Sequence, residues 1–324
     1  MDPLFLVLVL LVAAAVSYLT LWRIIPKLKA SGMVGKDMHK SGMPEKPGMG
    51  GIAIVVGFVG AALAGLALHA LFGFSLQLVG VLAALLTVCI VAIIGIFDDL
   101  FDMSQLTKAL LPLAASVPLV VVAMAAGHNA IAIPFIGSID FGLLYPLLLI
   151  PLAVAVCSNL TNMLAGWNGS EAGMGVVMFA CLALVAFVHG QTEMALLSMA
   201  MLGALLGFLP HNWFPARVFI DDVGTLSIGA ALAAAVIISD LKSAGAILTI
   251  PFVVDFFLKA MKKFPKTFSE AGEDGKLHAP KGQTRGLGDL ILNITGGLTE
   301  RNLALALMGI EAVFALVVLA LYLK

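Results

Sequence analysis

Hydrophobic positions in this chain neither alternate nor return on a single face. They run together for most of a membrane's thickness, break at short polar connections, and resume. A helix crossing the hydrocarbon layer needs about 20 apolar residues, and ten stretches approach that length: roughly 4–22, 50–72, 78–97, 109–126, 141–158, 172–189, 194–209, 225–239, 243–260 and 303–323. The pattern predicts an all-α, polytopic membrane protein with about ten transmembrane helices in one domain spanning 1–324. The first stretch has no small-residue cleavage site and enters a basic loop directly, so it reads as a span and not as a signal peptide.

Composition sharpens this. Hydrophobic residues are 61% and charged residues 11% of 324, with a mean hydropathy of +1.09; soluble domains carry about 25% charged residues. Lysine and arginine then orient the spans. With the N-terminus outside, every Lys and Arg except Lys242 and Lys324 falls in cytoplasmic segments, and both termini are predicted outside. The polar-rich connections 23–49, 98–108, 159–171, 210–224 and 261–302 all share that face, which makes it the working surface. Cys89, Cys157 and Cys181 lie in apolar stretches without CxxC or Cys/His spacing and read as packing residues.

Where few charges are present, their positions are informative. "GIFDDLFDMSQLTK" (95–108) ends an apolar run in Asp98, Asp99 and Asp102 and closes on Lys108. If the helix continues, those acids share a face, and the repulsion calls for a divalent cation or a basic partner such as Lys108. "PARVFIDDVGTLSIGA" (215–230) places Asp221 and Asp222 at the entrance of the eighth span, where one of them could equally serve as an N-cap. Two acidic clusters on one cleft suit a Mg²⁺ site that also holds phosphate, because magnesium takes one or two carboxylates and completes its shell with water and phosphate oxygens. "SNLTNMLAGWNGSEAG" (158–173) adds Asn159, Asn162 and Asn168 among Gly166, Gly169 and Gly173. Amides can ligate a hard cation or read a polar edge, and glycines admit close backbone approach. The basic segments 27–51 and 261–302 set topology, attract anionic lipid, and could rim a phosphorylated substrate.

Together these motifs resemble the polyprenyl-phosphate N-acetylhexosamine-1-phosphate transferases, a family of ten-span proteins with both termini outside. The resemblance rests on Asp98-Asp99 followed by Lys108, on Asn159 and Asn162, and on the later Asp222, in that order over nearly the whole chain. "NMLAGWNGSEAG", with Ala165, and "HNWFPARVF" (211–219) look most like the UDP-GlcNAc:dolichyl-phosphate GlcNAc-1-phosphate transferases of eukaryotes and archaea. "MPEKPGMGG" (43–51) resembles a Pro-Glu-x-x-Gly element there and singles out Glu45. The resemblance implies transfer of a sugar-1-phosphate from a UDP-sugar to a polyprenyl or dolichyl phosphate, releasing UMP. It implies Asp222 and Asn162 as ligands of Mg²⁺ (Mn²⁺ as the alternative ion), Asp98, Asp99 and Lys108 as catalytic residues, and Glu45, Asn159, Asn168, Gly166 and Gly169 as substrate-binding. Two departures stand out. Asp221 occupies a position where the family usually has glycine. An Arg-His-Arg-type cluster is absent from the last cytoplasmic loop, where "KKFPK" (262–266) or "KLHAPK" (276–281) offers Lys266 and His278 instead.

Two rivals follow from the same residues. "DDLFD" also matches the Asp-rich element of intramembrane prenyltransferases, but a second element with acids every three or four residues is missing. A transporter would use acids at mid-span and an inverted repeat; here the acids cluster at one face. The expected partners are the two substrates, the bilayer and a second copy of the chain, with no nucleic acid. The short loops lean toward a prokaryotic, archaeal plasma membrane, with the ER membrane as the eukaryotic alternative and the active site cytoplasmic.

Overall fold

The computed structural model describes residues 2–40, 42–73, 76–239, 241–265 and 269–323. Among them are nine helices long and apolar enough to cross a membrane, and a tenth span bent by 49° at a break. The protein is an all-α polytopic membrane protein, as the hydrophobic runs predict. The chain opens with α1 (Pro3–Ala30), capped by Asp2, whose side chain accepts from Leu4 N at 2.8 Å. A short ribbon, β1 (Val34–Lys36) with β2 (Glu45–Pro47), leads into α2 (Gly51–Phe72) and α3 (Leu78–Phe101). The fourth span is divided into α4 (Gln105–Ala115) and α5 (Val117–Ala125), with Pro118 just after the break.

The connection 127–142 folds as a hairpin, β3 (Ala130–Ile133) against β4 (Gly137–Asp140). A π-helical turn, Tyr145–Leu149, then feeds α6 (Ile150–Met163). There follow α7 (Ser170–Val188), α8 (Thr192–Asn212) and α9 (Asp221–Ile238). The bent span is α10 (Lys242–Leu248) with α11 (Ile250–Met261), broken ahead of Pro251. A small ribbon, β5 (Glu270–Ala271) with β6 (Leu277–His278), and a short amphipathic α12 (Leu287–Thr295) precede α13 (Glu300–Tyr322).

The centre of the bundle is α9, whose residues Val223–Ile237 are buried without interruption. It is flanked by α3 and α6. Close approach is allowed by glycine: a Cβ on Gly95 of α3 would stand 2.5 Å from Val223 Cα, and one on Gly229 would collide with Cys157 O of α6. The predicted spans stop short at the polar end. α3 carries its helix past residue 97 to Phe101, α6 past 158 to Met163, and α9 starts at Asp221, ahead of 225. Polar residues prolong these helices because their side chains find partners across the bundle, so apolar run length underestimates them.

Candidate active site

The polar ends of α4, α6, α7, α8 and α9, with the connections at 36–39, 165–168 and 219–220, meet around a cleft of ≈ 660 Å³. Its wall includes Lys108, Asn162, Gly166, Asn168, Asp221 and Asp222. At one end, the Lys108 ammonium lies 2.7 Å from Asp98 Oδ2 and is also paired with Asp222 Oδ2. One cation on α4 thus ties the end of α3 to the start of α9. Asn162 Nδ2 donates to Asp222 Oδ2 at 3.2 Å, and its Oδ1 accepts from Thr225 Oγ1 at 2.9 Å. Asp222, Asn162 and Lys108 are therefore brought together as the sequence expects.

The other acids have separate duties. Asp99 accepts from the backbone N–H of Asp222 (3.0 Å) and Val223 (3.1 Å). α9 has no side-chain cap of its own at Ile220, so a carboxylate from α3 caps it. Asp221, the departure from the family pattern, accepts from Met49 N at 2.7 Å. That bond, with Gly50 N to Phe219 O (2.9 Å) and Gly51 N to Ile220 O (3.0 Å), pins the turn before α2 against the entrance of α9. Asp102 does not join its neighbours: the helix stops at Phe101, and Asp102 turns into the left-handed region (φ 48°) as an exposed C-cap. The three-acid face expected for a continuing helix therefore has only two members.

At the other end, buried Asn168 donates from its backbone N to Glu300 Oε1 (2.8 Å) and from Nδ2 to Asp37 Oδ2 (3.2 Å). Lys40 is paired with Asp37 and lies 3.3 Å from Glu300 Oε2. His39 stacks on Trp167 at 6.3 Å between centroids, and burial holds its imidazole down at about 4. Ligand atoms of Asp37, His39 and Glu300 lie within 4.8 Å of one another, but the Lys40 ammonium already serves as their cation. Gly166, at φ 136°, donates its N–H to Glu171 Oε1 at 2.6 Å. Gly169, at φ 85°, donates to Asn212 Oδ1 at 3.1 Å. Both hold backbone angles open chiefly to glycine.

Several expected site residues lie elsewhere. Glu45 is exposed on the β1–β2 ribbon. Asn159 turns to Ala155 O (2.8 Å) and Ala109 O (3.3 Å), tying α6 to α4. His278 faces Asp274 at 3.2 Å and does not line the cleft. Lys266 lies outside the described residues. Asp37, His39, Trp167, Glu171 and Thr225 line the cleft without having been singled out. Trp167, Glu171 and Thr225 sit within the quoted motifs 158–173 and 215–230, and Asp37 and His39 within the segment read as a basic rim.

Magnesium is tested by the donor set alone. The Lys108 end offers the oxygens of Asp222, Asn162, Asp98 and Thr225. The two carboxylates among them, Asp98 and Asp222, share the one ammonium of Lys108. Hard oxygen donors with surplus negative charge suit a small divalent cation.

Residues 81–240 match glycosyl transferase family 4. A relative from Saccharolobus solfataricus, provisionally named a UDP-N-acetylglucosamine–dolichyl-phosphate N-acetylglucosaminephosphotransferase, is 36% identical over 99% of this chain and 98% of its own. A Dictyostelium discoideum UDP-N-acetylglucosamine–dolichyl-phosphate N-acetylglucosaminephosphotransferase is 27% identical over 89% of this chain and 82% of its own. A phospho-N-acetylmuramoyl-pentapeptide-transferase from Shouchella clausii is 34% identical over 73% of this chain and 75% of its own.

Proposed function

This chain belongs to glycosyl transferase family 4, and from that premise we propose that it transfers GlcNAc-1-phosphate from UDP-GlcNAc to a dolichyl or other polyprenyl phosphate. The observation that carries the reading is the Lys108 ammonium shared by Asp98 and Asp222 at the wall of a cleft walled by two asparagines, Asn162 and Asn168. An acceptor phosphate oxygen attacks the sugar-bearing phosphorus of the UDP-sugar. The bond from that phosphorus to the bridging oxygen breaks, and UMP leaves. Such a transfer asks for positioning and charge neutralisation more than for covalent chemistry.

In this scheme Lys108 neutralises phosphate oxygens, and the exchange of its partners from carboxylate to phosphate costs little rearrangement. Asp98 holds Lys108 and orients the acceptor phosphate. Asp222 and Asn162 would hold Mg²⁺, which when bound neutralises pyrophosphate charge. Asn168 and the backbone around Gly166 line the far end, where the nucleotide sits, with Asp37, Lys40 and Glu300 fixing that wall. Asn159 ties α6 to α4 beside the cleft, and His278 pairs with Asp274 in the last loop. The cleft opens to the cytoplasm, with both termini on the opposite side, because nearly all Lys and Arg flank the cleft end of the bundle. Dolichyl phosphate and GlcNAc are supported by the names of the Saccharolobus and Dictyostelium relatives.

The test is UMP release by purified protein in detergent with Mg²⁺, polyprenyl phosphate and UDP-GlcNAc, beside Asp222→Ala. Lipid-dependent UMP that vanishes in the variant is expected. Turnover with a different UDP-sugar corrects the sugar only. No UMP with any UDP-sugar, from protein shown to be folded, overturns the reading.

A further inference from the structure

One charge pair outside the cleft reaches its wall from two directions. Asp255 and Lys259 stand four apart on α11, with Asp255 fully buried and Lys259 Nζ 2.8 Å from Asp255 Oδ2. Neither charge is confined to its partner. Lys259 Nζ also donates to Met163 O, and Asp255 Oδ1 accepts from Leu287 N at 2.8 Å. Met163 is the last residue of α6, and Leu287 is the first of α12. A helix leaves its last carbonyls and its first N–H groups without partners inside the helix. Its C-terminus is partially negative and its N-terminus partially positive. α11 therefore meets the end of α6 with a cation and the start of α12 with an anion, and one ion pair closes both helices.

Both closed ends belong to the cleft. Met163 follows Asn162, whose side chain joins Asp222 to Thr225. The chain departs from the helix at Leu164 (ψ 51°), and the bond from Lys259 fixes α6 at that point. On the α12 side the fit is close. A Cβ on Gly286 would stand 2.7 Å from Asp255 Oδ1, and one on Gly288 would collide with the ring of Trp167, which lines the cleft beside Asn168. Arg285, by contrast, directs its guanidinium to Asp289 (Nε to Oδ2 2.8 Å) and makes no hydrogen bond to α6 among the described residues. We propose that Asp255 and Lys259 are positioning residues for the transfer, setting the backbone that carries Asn162 and, through α12, the Trp167 wall. The inference rests on the proposed function, which gives Asn162 a cation to hold.

The experiment titrates Mg²⁺ against UDP binding by the purified full chain in detergent, a readout that needs no turnover. It compares wild type with Lys259→Met, Lys259→Arg and Arg285→Met. Loss of a group that holds a metal ligand in place costs about 10–100-fold in metal affinity, so Lys259→Met should raise the half-saturating Mg²⁺ concentration about tenfold or more. Lys259→Arg keeps a cation between Met163 O and Asp255 and should return most of the way to wild type. Arg285→Met breaks only the neighbouring pair; it should lower thermal stability and leave the Mg²⁺ requirement where wild type has it. Gly286→Ala crowds Asp255 without removing either charge, and it should move the requirement in the same direction as Lys259→Met if that variant does not fold. An unmoved requirement in the variants of the pair, an equal shift in Arg285→Met, no rescue by arginine, or UDP binding in wild type that ignores Mg²⁺ would each overturn the proposal. If wild type bound UDP with Mg²⁺ but released no UMP, the transfer reading would fail, while the Mg²⁺ shift would still decide whether the pair positions Asn162.

Discussion

Asp99→Asn separates a residue that does chemistry from one that holds chemistry in place. Both carboxylate oxygens of Asp99 are occupied by N–H groups of the first turn of α9, and one of these belongs to Asp222. A hydrogen bond to a charged group contributes about 1.5–3 kcal/mol, while loss of a helix cap costs about 0.5–2 kcal/mol. Asparagine keeps one acceptor and turns an amide N–H₂ toward the second donor. The expected cost is therefore about 1–2 kcal/mol of stability, with Asp99→Ala costing more because both donors are orphaned. Activity should fall with stability, because Asp222 rides on the turn that has come loose. Its pH dependence should keep its shape. The assay pairs denaturation in detergent with UMP release across pH for wild type, Asn and Ala. If Asp99 were instead a general base, its removal would cost about 10²–10⁴-fold and erase the acid limb. Replacing one of four crowded acids would leave stability level or improve it. That combination would refute the capping assignment.

Lys108→Met should be severe, since it leaves Asp98 and Asp222 facing each other without their shared cation. Losing one partner of a buried pair costs about 3–5 kcal/mol; these side chains are 10–20% exposed, so the lower part of that range applies. UMP release should drop about 10²–10³-fold, and retention of wild-type turnover would remove Lys108 from the mechanism. His39 predicts an acid sensitivity. Its folded value is about 4 against an ordinary 6.5, because burial disfavours the imidazolium and outweighs the nearby Asp37 and Asp289 carboxylates. Between those values the unfolded chain binds a proton that the folded chain does not, so stability falls as pH drops from 6.5 toward 4, by about 3 kcal/mol in all. His39→Gln should flatten that slope in a detergent denaturation series; an identical slope in the variant would assign it to other groups.

The spans were legible because a chain with so few charges places most of them in the connections, and the same scarcity made Asp98, Asp99, Lys108 and Asp222 conspicuous. Pairing was not legible. Asp99 meets its partners more than a hundred residues later, and Lys40 reaches Glu300 across most of the chain. Sequence assigns each charge to a side of the membrane and a class of chemistry, but only contact tells a carboxylate that faces a ligand from one spent on a backbone N–H. Asp221 illustrates the difference. Read along the chain it is a surplus acid able to compete for metal, whereas in the fold it is consumed by Met49 N.

The same logic limits the basic segment 27–51. Counted as charge it is a rim for phosphate or lipid. In three dimensions its members divide: Lys40 and Asp37 are tied to Glu300 beneath Asn168, and Glu45 is left outside on a ribbon. A wall in which Asp37 and Glu300 share Lys40 and hold Asn168 offers fixed donors and acceptors, which suits the polar edge of a base. At the opposite end Asp98 and Asp222 share Lys108, where phosphate and a divalent cation would meet. The two ends of the cleft thus present different partners, and a nucleoside diphosphate sugar would be oriented in it before any atom reacts.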